Sequence, residues 1–499
     1  MRHPPLRQAV AAGVFAASLL LLVPLPVAAA PEGQAVSATR LTPCRLPGVE
    51  NGAQCGALLR PLNPAEPGGK QIELHYAVLP ALARNKKPDP VFFFAGGPGQ
   101  SALALAGPLS RQLARLSNRR DVVLIDQRGT GKSAPLKCDE DPPTRPLVEQ
   151  TDPAVQAMQL RQCREKLMAL PHGDLRRYTT TLAMQDADAV RQALGAAQVN
   201  LVGGSYGTRA ALEYLRQFPQ AVRRVVIDGV APPDMVLPAS FSTDGQAAFD
   251  AMLAACEADP SCALRYPTLR ADWAALLASL PRTVTAAHPV TGAAETFTLS
   301  RDALLGMVRM PLYVPALAST LPLAVTEAAR GRLGPLLGLS TAMSGARSTA
   351  LAGGMHFSVV CAEDAPRLAQ ALDKPGADFR ASAAELYLRT CADWPRGEVP
   401  AAFYSLPKAN SAVLVLSGGA DPATPPRHGA RVAAALGAKA RHEVVPQAGH
   451  GVMGLGCMRD VVFRFIDANT DDEALKVDAD CAKNIPRPLP FIPVSAVRQ

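Results

Sequence analysis

The turn Gly203–Gly207 contains the side chain that is best placed for nucleophilic chemistry, Ser205. A short apolar run at 199–202 precedes this turn, and a helical pattern at 208–216 follows it. Between a strand and a helix, a G-x-S-x-G sequence is typical of a serine held at a strained backbone position with its hydroxyl above the sheet. The alternative is an ordinary glycine-rich turn with an exposed serine. Other polar residues of the chain favour the nucleophile.

A serine hydroxyl is a weak nucleophile at neutral pH, so it needs a neighbouring base and a carboxylate that orients the base. Asp421 and His450 each follow a predicted strand, at 412–416 and 441–446, and each lies in a loop of small residues. The carboxyl ends of parallel strands meet at one edge of a sheet, where ligands bind. We therefore predict that Ser205, Asp421 and His450 form a triad at that edge.

Other acids and histidines fit these roles less well. Asp126 and Asp228 also end predicted strands, but both precede the expected position of the acid. In hydrolases with this kind of serine turn, the order along the chain is serine, acid, histidine. Four further histidines do not lie in a small-residue loop after a strand and are expected at the surface or in an inserted segment: His288, His356, His428 and His442.

A second glycine-rich loop, Ala95–Ser101, follows the buried apolar run 91–94. Because glycines carry no side chain, backbone N–H groups there can approach a ligand atom closely, which predicts the second half of an oxyanion hole. The alternative is a simple turn. A third loop contains Gly131-Lys132-Ser133 and resembles a phosphate loop, but that motif needs a glycine where this chain has Asp126. Nucleotide binding is therefore not expected.

The alternation of strand and helix patterns between 71 and 234 predicts an α/β fold with a mostly parallel sheet flanked by helices. From about 235 the pattern becomes helical and rich in proline, and strands return at 411–416. We therefore predict a first core segment at 30–234, a mainly helical inserted cap at 235–405 and a second core segment at 406–499. A cap inserted at this place is expected over the carboxyl edge of the sheet.

Residues 1–29 have the features of a secretory signal peptide. Arg2 and Arg7 precede an apolar stretch at 9–23, and Val27–Ala29 offers a small-residue cleavage site. The chain has 51 Lys and Arg against 43 Asp and Glu, without blocks of positive charge, so nucleic acid is not an expected partner. The mature protein is expected to be exported, periplasmic or secreted, and to have no membrane span.

An even number of cysteines in an exported chain indicates disulfides. The cysteines fall into five sequential couples, and this simplest pairing is our prediction. No spacing among them is typical of a zinc site, and neither a metal nor a cofactor is expected. The ten cysteines lie at positions 44, 55, 138, 163, 256, 262, 361, 391, 457 and 481.

Four motifs occur in register along the chain: Gly96-Gly97-Pro98-Gly99-Gln100-Ser101, Asp126-Gln127-Arg128-Gly129-Thr130-Gly131-Lys132-Ser133, Gly203-Gly204-Ser205-Tyr206-Gly207 and Asp421-Pro422-Ala423-Thr424-Pro425. Together they resemble the proline iminopeptidase and tripeptidyl aminopeptidase family of α/β-hydrolases. The closer similarity is to exported tripeptidyl-aminopeptidase-like members, through residues 357–364 and the stretch from His450 to Cys481. One departure is Ala95, where proline iminopeptidases usually carry His, so strict proline specificity is not expected.

The resemblance implies an α/β-hydrolase that acts as an exported serine exopeptidase on peptides with a free N-terminus. Ser205 would attack the scissile carbonyl and form an acyl-enzyme, with His450 as base and Asp421 as the acid that orients it. The backbone N–H groups of Tyr206 and of Gly97 (or Gly96) would bind the oxyanion. The oligomeric state is left open.

An aminopeptidase must also bind the ammonium group of its substrate, for which a carboxylate in the cap is the simplest ligand. Glu363 and Asp364 are the expected ligands, in a loop that a disulfide between Cys361 and Cys391 would fix; a solvated acidic pair is the alternative. Two other functions compete with the peptidase. An esterase or another acyl hydrolase would use the same triad and oxyanion hole, and a non-catalytic binding protein would keep the fold with a broken triad.

Overall fold

The computed structural model describes residues 40–139, 142–348, 351–371, 373–381 and 384–493. The expected signal peptide at 1–29 lies outside the described residues. Within the described part, no helix combines the length and the apolar character that a membrane crossing requires.

The strands in the described residues are β1 (Thr42–Cys44), β2 (Ala53–Pro61), β3 (Gln71–Leu79), β4 (Val91–Phe94), β5 (Val122–Ile125), β6 (Val199–Gly204), β7 (Val222–Asp228), β8 (Arg282–Ala287), β9 (Ala294–Leu299), β10 (Ala412–Gly418) and β11 (Ala440–Val445). Nine of them form one sheet in the order β1-β2-β3-β5-β4-β6-β7-β10-β11, and β8 and β9 form a separate hairpin. Pairing is antiparallel from β1 to β5 and parallel from β5 to β11. This order confirms the predicted α/β fold with a mostly parallel sheet.

The α-helices of the described residues fall into two groups by their place in the chain. Helices α1–α5 and α15–α17 connect or follow strands of the large sheet, whereas α6–α14 and the hairpin lie between β7 and β10. Their bounds are α1 (Ala106–Gln112), α2 (Leu147–Thr151), α3 (Pro153–Met168), α4 (Thr180–Ala193), α5 (Tyr206–Gln217), α6 (Ala239–Ala258), α7 (Pro260–Arg265), α8 (Leu269–Ala278), α9 (Arg301–Leu312), α10 (Pro315–Ala318), α11 (Leu321–Ala329), α12 (Gly334–Ser348), α13 (Gly353–Glu363), α14 (Ala384–Asp393), α15 (Pro426–Leu436), α16 (Met458–Asp467) and α17 (Asp471–Leu475).

The central strands β4 and β5 consist only of apolar residues, as is typical of parallel strands that are covered on both faces of a sheet. Every residue of β4, β5 and β10 is buried. On one face, Phe93 belongs to a core that includes Leu109 of α1 and Phe465 of α16. This packing fixes the height of each strand, and therefore of the loop that follows its carboxyl end.

The segment between β7 and β10 has a second hydrophobic core, which also includes Leu147 of α2. In that core the rings of Phe249 and Trp273 lie 4.5 Å apart, and both are buried with Leu304 of α9. Helices α6–α14 all fall within the bounds predicted for the cap, and we call residues 235–405 the cap segment.

All ten cysteines form disulfides, and each bonds its neighbour in the sequence, as predicted: Cys44–Cys55, Cys138–Cys163, Cys256–Cys262, Cys361–Cys391 and Cys457–Cys481. Five disulfides agree with folding in an oxidising compartment. Cys361–Cys391 joins α13 to α14 within the cap segment.

Candidate active site

Ser205 lies in the sharp turn between β6 and α5. Its backbone has φ 54° and ψ −125°, a conformation that a residue with a side chain rarely adopts. The N–H of Ser205 donates to the carbonyl of Asp228 at 2.9 Å, which ties the turn to the end of β7. At Gly207, an added Cβ would lie 2.0 Å from the carbonyl oxygen of Phe94. Glycine is required there because α5 passes directly against β4.

Asp421 and His450 follow β10 and β11 and contact each other. Nδ1 of His450 lies 2.8 Å from Oδ2 of Asp421, whose side chain is buried. Oδ1 of Asp421 accepts the N–H groups of Ala423 at 2.8 Å and Thr424 at 2.9 Å. The Thr424 hydroxyl donates to Oδ2 at 2.8 Å and lies 3.1 Å from Nδ1 of His450. These contacts hold the carboxylate in one orientation toward the imidazole.

The charge state of Asp421 follows from these contacts. Burial by itself would raise the pKa of this carboxyl, but the charge of His450 and the hydrogen bonds from His450, Thr424 and Ala423 hold it below its usual range. Asp421 is thus an ionised acceptor. An ionised carboxylate at Nδ1 places the proton of a neutral imidazole on that nitrogen and leaves Nε2 free to act as a base.

The loop that carries His450 is held from two sides. In the cap segment, the carbonyl of Tyr313 accepts the N–H of His450 at 2.9 Å, and the two rings lie 5.0 Å apart. On the core side, Oδ2 of Asp228 accepts the N–H groups of Val452 and Met453, each at 2.7 Å. Burial raises the pKa of Asp228 to about 6, although these two N–H groups oppose the shift.

Ser205 and His450 line the same cavity, which has a volume of about 810 Å³. Gly96 and Gly97 form part of its wall, and a Cβ at Gly96 would lie 3.2 Å from Cβ of Ser205. The N–H of Tyr206 is the first of α5, at a position where an N–H has no acceptor within its own helix. Of the three residues predicted for the oxyanion hole, Gly96 and Gly97 thus line the same cavity as Ser205, and Tyr206 follows it directly in the chain. Among the described residues, no group of three or more His, Cys, Asp or Glu is arranged to hold a metal ion.

Glu363 and Asp364 lie elsewhere. Both are fully buried at the end of α13, and neither lines the cavity that contains Ser205. Nη1 and Nη2 of Arg209 donate to the two oxygens of Asp364 at 3.0 and 3.1 Å, and Nη1 lies 3.3 Å from Oε2 of Glu363. Glu363 also accepts the backbone N–H of Thr180 at 2.7 Å and its hydroxyl at 3.0 Å. The expected amine-binding role does not fit this position, because both carboxylates are occupied by protein donors.

The buried acids instead connect the cap segment to the serine turn. The Thr180 hydroxyl that donates to Glu363 also lies 2.7 Å from the hydroxyl of Tyr206, the residue after Ser205. Arg209 is one turn further along α5. We call Arg209, Glu363 and Asp364 the buried ion cluster. No local sequence pattern predicts this cluster, since Arg209 is 154 residues from Glu363 and 155 residues from Asp364 along the chain.

Two histidines expected at the surface or in the inserted segment have specific contacts. His356 of α13 lines the cavity, with Nδ1 3.3 Å from the carbonyl of Pro98 and Nε2 2.8 Å from the hydroxyl of Tyr387. Burial lowers the pKa of His356 to about 4, so it is neutral at pH 7. His428 is buried in the core, with Nε2 2.9 Å from Oδ2 of Asp244; a surface position is therefore wrong for it.

Two family models match this chain. A model described as the α/β hydrolase fold matches residues 89–305, and one described as TAP-like protein matches residues 377–481. The tripeptidyl aminopeptidase of Streptomyces lividans is 32% identical over 197 residues, which are 36% of this chain and 36% of that protein. The match thus spans about a third of that relative.

A longer match is found with the serine protease Hip1 of Mycobacterium tuberculosis, which is 28% identical over 435 residues, 79% of this chain and 81% of that protein. Among solved structures, the esterase EaEST from Exiguobacterium antarcticum aligns with a TM-score of 0.36 and 16% identity, over 79% of this chain and 94% of that chain. A TM-score this low adds nothing to the assignment of the fold. The strand order and the first family model show the α/β hydrolase fold, and over residues 377–481 the chain is similar to TAP-like proteins.

Proposed function

We propose that this protein is an exported serine exopeptidase that hydrolyses peptide bonds near the free N-terminus of peptides. The observation that carries the proposal is the 2.8 Å contact between His450 and a buried Asp421, with His450 and Ser205 on one cavity. The names of the relatives from Streptomyces and Mycobacterium support a peptidase. A peptide is therefore the substrate class that we infer.

In the first half of the reaction, His450 removes the proton of the Ser205 hydroxyl as the oxygen attacks the scissile carbonyl. The carbonyl oxygen becomes an oxyanion, which accepts hydrogen bonds from the N–H of Tyr206 and that of Gly97 or Gly96. The protonated His450 then donates its proton to the leaving amine, the C–N bond breaks, and the acyl group stays on Ser205. Loss of one oxyanion donor typically costs about 3 kcal/mol of transition-state stabilisation.

In the second half, a water molecule replaces the amine. His450 removes a proton from this water, the oxygen attacks the acyl carbon, and the same N–H groups bind the second oxyanion. The Ser205 oxygen leaves and takes the proton back from His450, which releases the acid product. Asp421 stabilises the imidazolium in both halves without taking up its proton.

The described lining of the cavity offers no free carboxylate to an ammonium group. Among the described residues that line the cavity, Asp228 is the only acid, and both its oxygens already accept backbone N–H groups. This observation favours a second candidate, an esterase or another acyl hydrolase, because such an enzyme needs the same triad but no ligand for an ammonium group.

Three fluorogenic amides separate the two candidates: a proline amide with a free amine, an Ala-Ala-Pro amide with a free amine, and the N-acetylated form of the latter. Each is assayed with the mature chain and with Ser205→Ala. We expect Ser205-dependent hydrolysis of a free-amine substrate that is lost on acetylation, and the substrate cleaved gives the length of the product. If all three amides are inert while a short-chain ester is cleaved through Ser205, the protein is an esterase and the peptidase proposal fails.

A further inference from the structure

The cavity around Ser205 is rich in arginine. Arg111 of α1, Arg309 of α9 and Arg459 of α16 all line it, together with Ser205 and His450. Asp228 is the only acid among the lining residues that the structure describes, and it is buried against the backbone of the loop that follows β11. The cavity therefore presents an excess of positive charge to whatever enters it.

Arg309 has the most specific environment of the three. Its guanidinium stacks on the ring of Phe241 at 4.1 Å, and Nη2 donates to the hydroxyl of Tyr313 at 3.1 Å. Its Nε is buried and has no hydrogen-bond partner within the described residues. Since Tyr313 also contacts His450 through its ring and its carbonyl, only one side chain separates this guanidinium from the base. A buried donor without a partner, beside the reacting groups, indicates a missing acceptor.

The other two arginines are exposed. Nε of Arg459 donates to the carbonyl of Gly454 at 2.8 Å. Arg459 lies in the first turn of α16, where the helix dipole disfavours a positive charge, so helix stability does not explain it. Arg111 lies in the last turn of α1, where the dipole favours a positive charge.

The arginines of the cavity differ in their partners from the most deeply buried arginines of the described chain. Elsewhere in the described chain, buried arginines have acidic partners: Arg120 with Asp89, Arg128 with Asp186, and Arg209 with Asp364. No carboxylate of the described residues forms an ion pair with Arg111, Arg309 or Arg459. A guanidinium pairs with a carboxylate through two parallel N–H donors. A carboxylate is therefore the group that these arginines are best suited to bind.

We propose that Arg309, assisted by Arg111 and Arg459, binds a carboxylate of the substrate next to Ser205. The proposal rests on the proposed function, because it names the class of peptide that this site cleaves best. Two sources supply the same group: the C-terminal carboxylate of a short peptide, or the side chain of an Asp or Glu residue. Arg309 is then a specificity-determining residue, and it excludes substrates that place a cation at this point.

The test compares substrates that differ by one carboxylate. The first pair, Ala-Ala-Pro-Ala and its C-terminal amide, tests whether the C-terminal carboxylate is bound. The second pair, the free-amine coumarin amides of Ala-Asp-Pro and Ala-Asn-Pro, tests whether a side-chain carboxylate is bound. For at least one pair we expect kcat/KM to be about tenfold or more higher for the acid, as a hydrogen bond to a charged group provides. Raising the ionic strength is expected to reduce this ratio.

The variants Arg309→Gln, Arg309→Lys and Arg459→Gln identify the residue responsible. The ratio of kcat/KM for the acid to kcat/KM for its neutral partner should fall toward one in Arg309→Gln and partly in Arg459→Gln. It should fall less in Arg309→Lys than in Arg309→Gln, because lysine keeps the charge but lacks the two parallel N–H donors of the guanidinium. Arg270→Gln serves as the control, since Arg270 pairs with Glu257 on the exposed face of the cap segment. Its ratio should equal that of the wild type. If Arg309→Gln fails to fold by circular dichroism, the exposed Arg459 carries the test.

Binding to the Ser205→Ala variant, measured by calorimetry, decides the proposal without turnover. The carboxylate site is supported if the acid binds more tightly than its amide and if this difference is lost when Arg309→Gln is added. This result would stand even if no peptide is hydrolysed, in which case only the peptidase function fails. Equal binding and equal kcat/KM of acid and neutral partners in both pairs overturn the carboxylate site, and cleavage of the neutral peptides would then leave the peptidase function intact. An unchanged ratio in Arg309→Gln and Arg459→Gln also overturns it.

Discussion

Replacing Arg209 by Met is expected to lower the free energy of unfolding by about 3–5 kcal/mol, the cost of breaking a buried ion pair from one side. Arg209, Glu363 and Asp364 are each no more than 1% exposed, so no solvent compensates the carboxylates that remain. Burial already raises the pKa of Glu363 to about 7 in the intact cluster, with Arg209 opposing the shift. Without Arg209 both acids take up protons more readily. The loss of stability should therefore be smaller at pH 5 than at pH 8.

The milder variant Glu363→Gln separates a structural role from amine binding. The amide oxygen still accepts the N–H of Thr180, and the pairing of Arg209 with Asp364 remains, so we expect a loss of about 1–2 kcal/mol, as for one hydrogen bond to a charged group. KM for a free-amine substrate and for its N-blocked form should change by the same factor, because the carboxylate does not reach the cavity.

Denaturant unfolding at pH 5 and pH 8 and the two KM values measure these effects. The control is Arg270→Met, which removes the cation from a pair whose side chains are both 50% exposed and should cost less than about 1 kcal/mol. The buried-cluster interpretation is refuted if Glu363→Gln leaves stability unchanged and raises KM for the free-amine substrate alone. An equal loss in Arg209→Met and Arg270→Met would also contradict it.

Three further predictions concern the base and its surroundings. Asp421→Asn should lower kcat by about 10⁴-fold with little change in KM, because the amide favours the wrong imidazole tautomer; single-turnover acylation measures it. Thr424→Val removes a 2.8 Å hydrogen bond to Asp421 and should lower kcat about tenfold, while thermal unfolding shows whether the fold is unchanged. Asp228 has a folded pKa raised from 3.8 to about 6, so its contribution to stability is present below pH 3.8 and is lost as pH rises through 6. Relative to Asp228→Asn, the wild type should therefore lose about 3 kcal/mol across that window in denaturant titrations; a constant difference would contradict the shift.

The residues predicted for the triad share one property: each lies in a pattern that can be recognised from a few neighbouring residues. Ser205 stands between a strand and a helix, and Asp421 and His450 each follow an apolar strand in a small-residue loop. The spacing of apolar residues predicts whether a segment is a strand or a helix, and the parallel sheet brings the carboxyl ends of its strands to one edge. The disulfides were predictable for a similar reason, since each joins cysteines at most 30 residues apart.

The residues that the sequence misjudged depend on contacts between distant segments. Glu363-Asp364 reads as an acidic pair at the end of an apolar helix, and nothing near it shows that Arg209 will bury it. His428 is equally uninformative until Asp244, 184 residues away, is placed beside it. The Asp421-Pro422-Ala423-Thr424 spacing was a usable signal, because an Asp that accepts the N–H groups two and three residues on is a common turn. The same turn brings the hydroxyl of Thr424 to Asp421.

In the proposed reaction, the cap segment would act by holding core residues in position rather than by supplying a catalytic side chain. The carbonyl of Tyr313 holds the backbone of His450, and Glu363 holds Thr180, which contacts Tyr206 beside the nucleophile. The proposed base, His450, and the proposed oxyanion donor, Tyr206, are thus both held from the segment that carries Arg309. A displacement of the cap would change the alignment of the catalytic groups and the binding of substrate together, so changes within it should alter kcat and KM jointly. A segment that only covered a finished site would change KM alone.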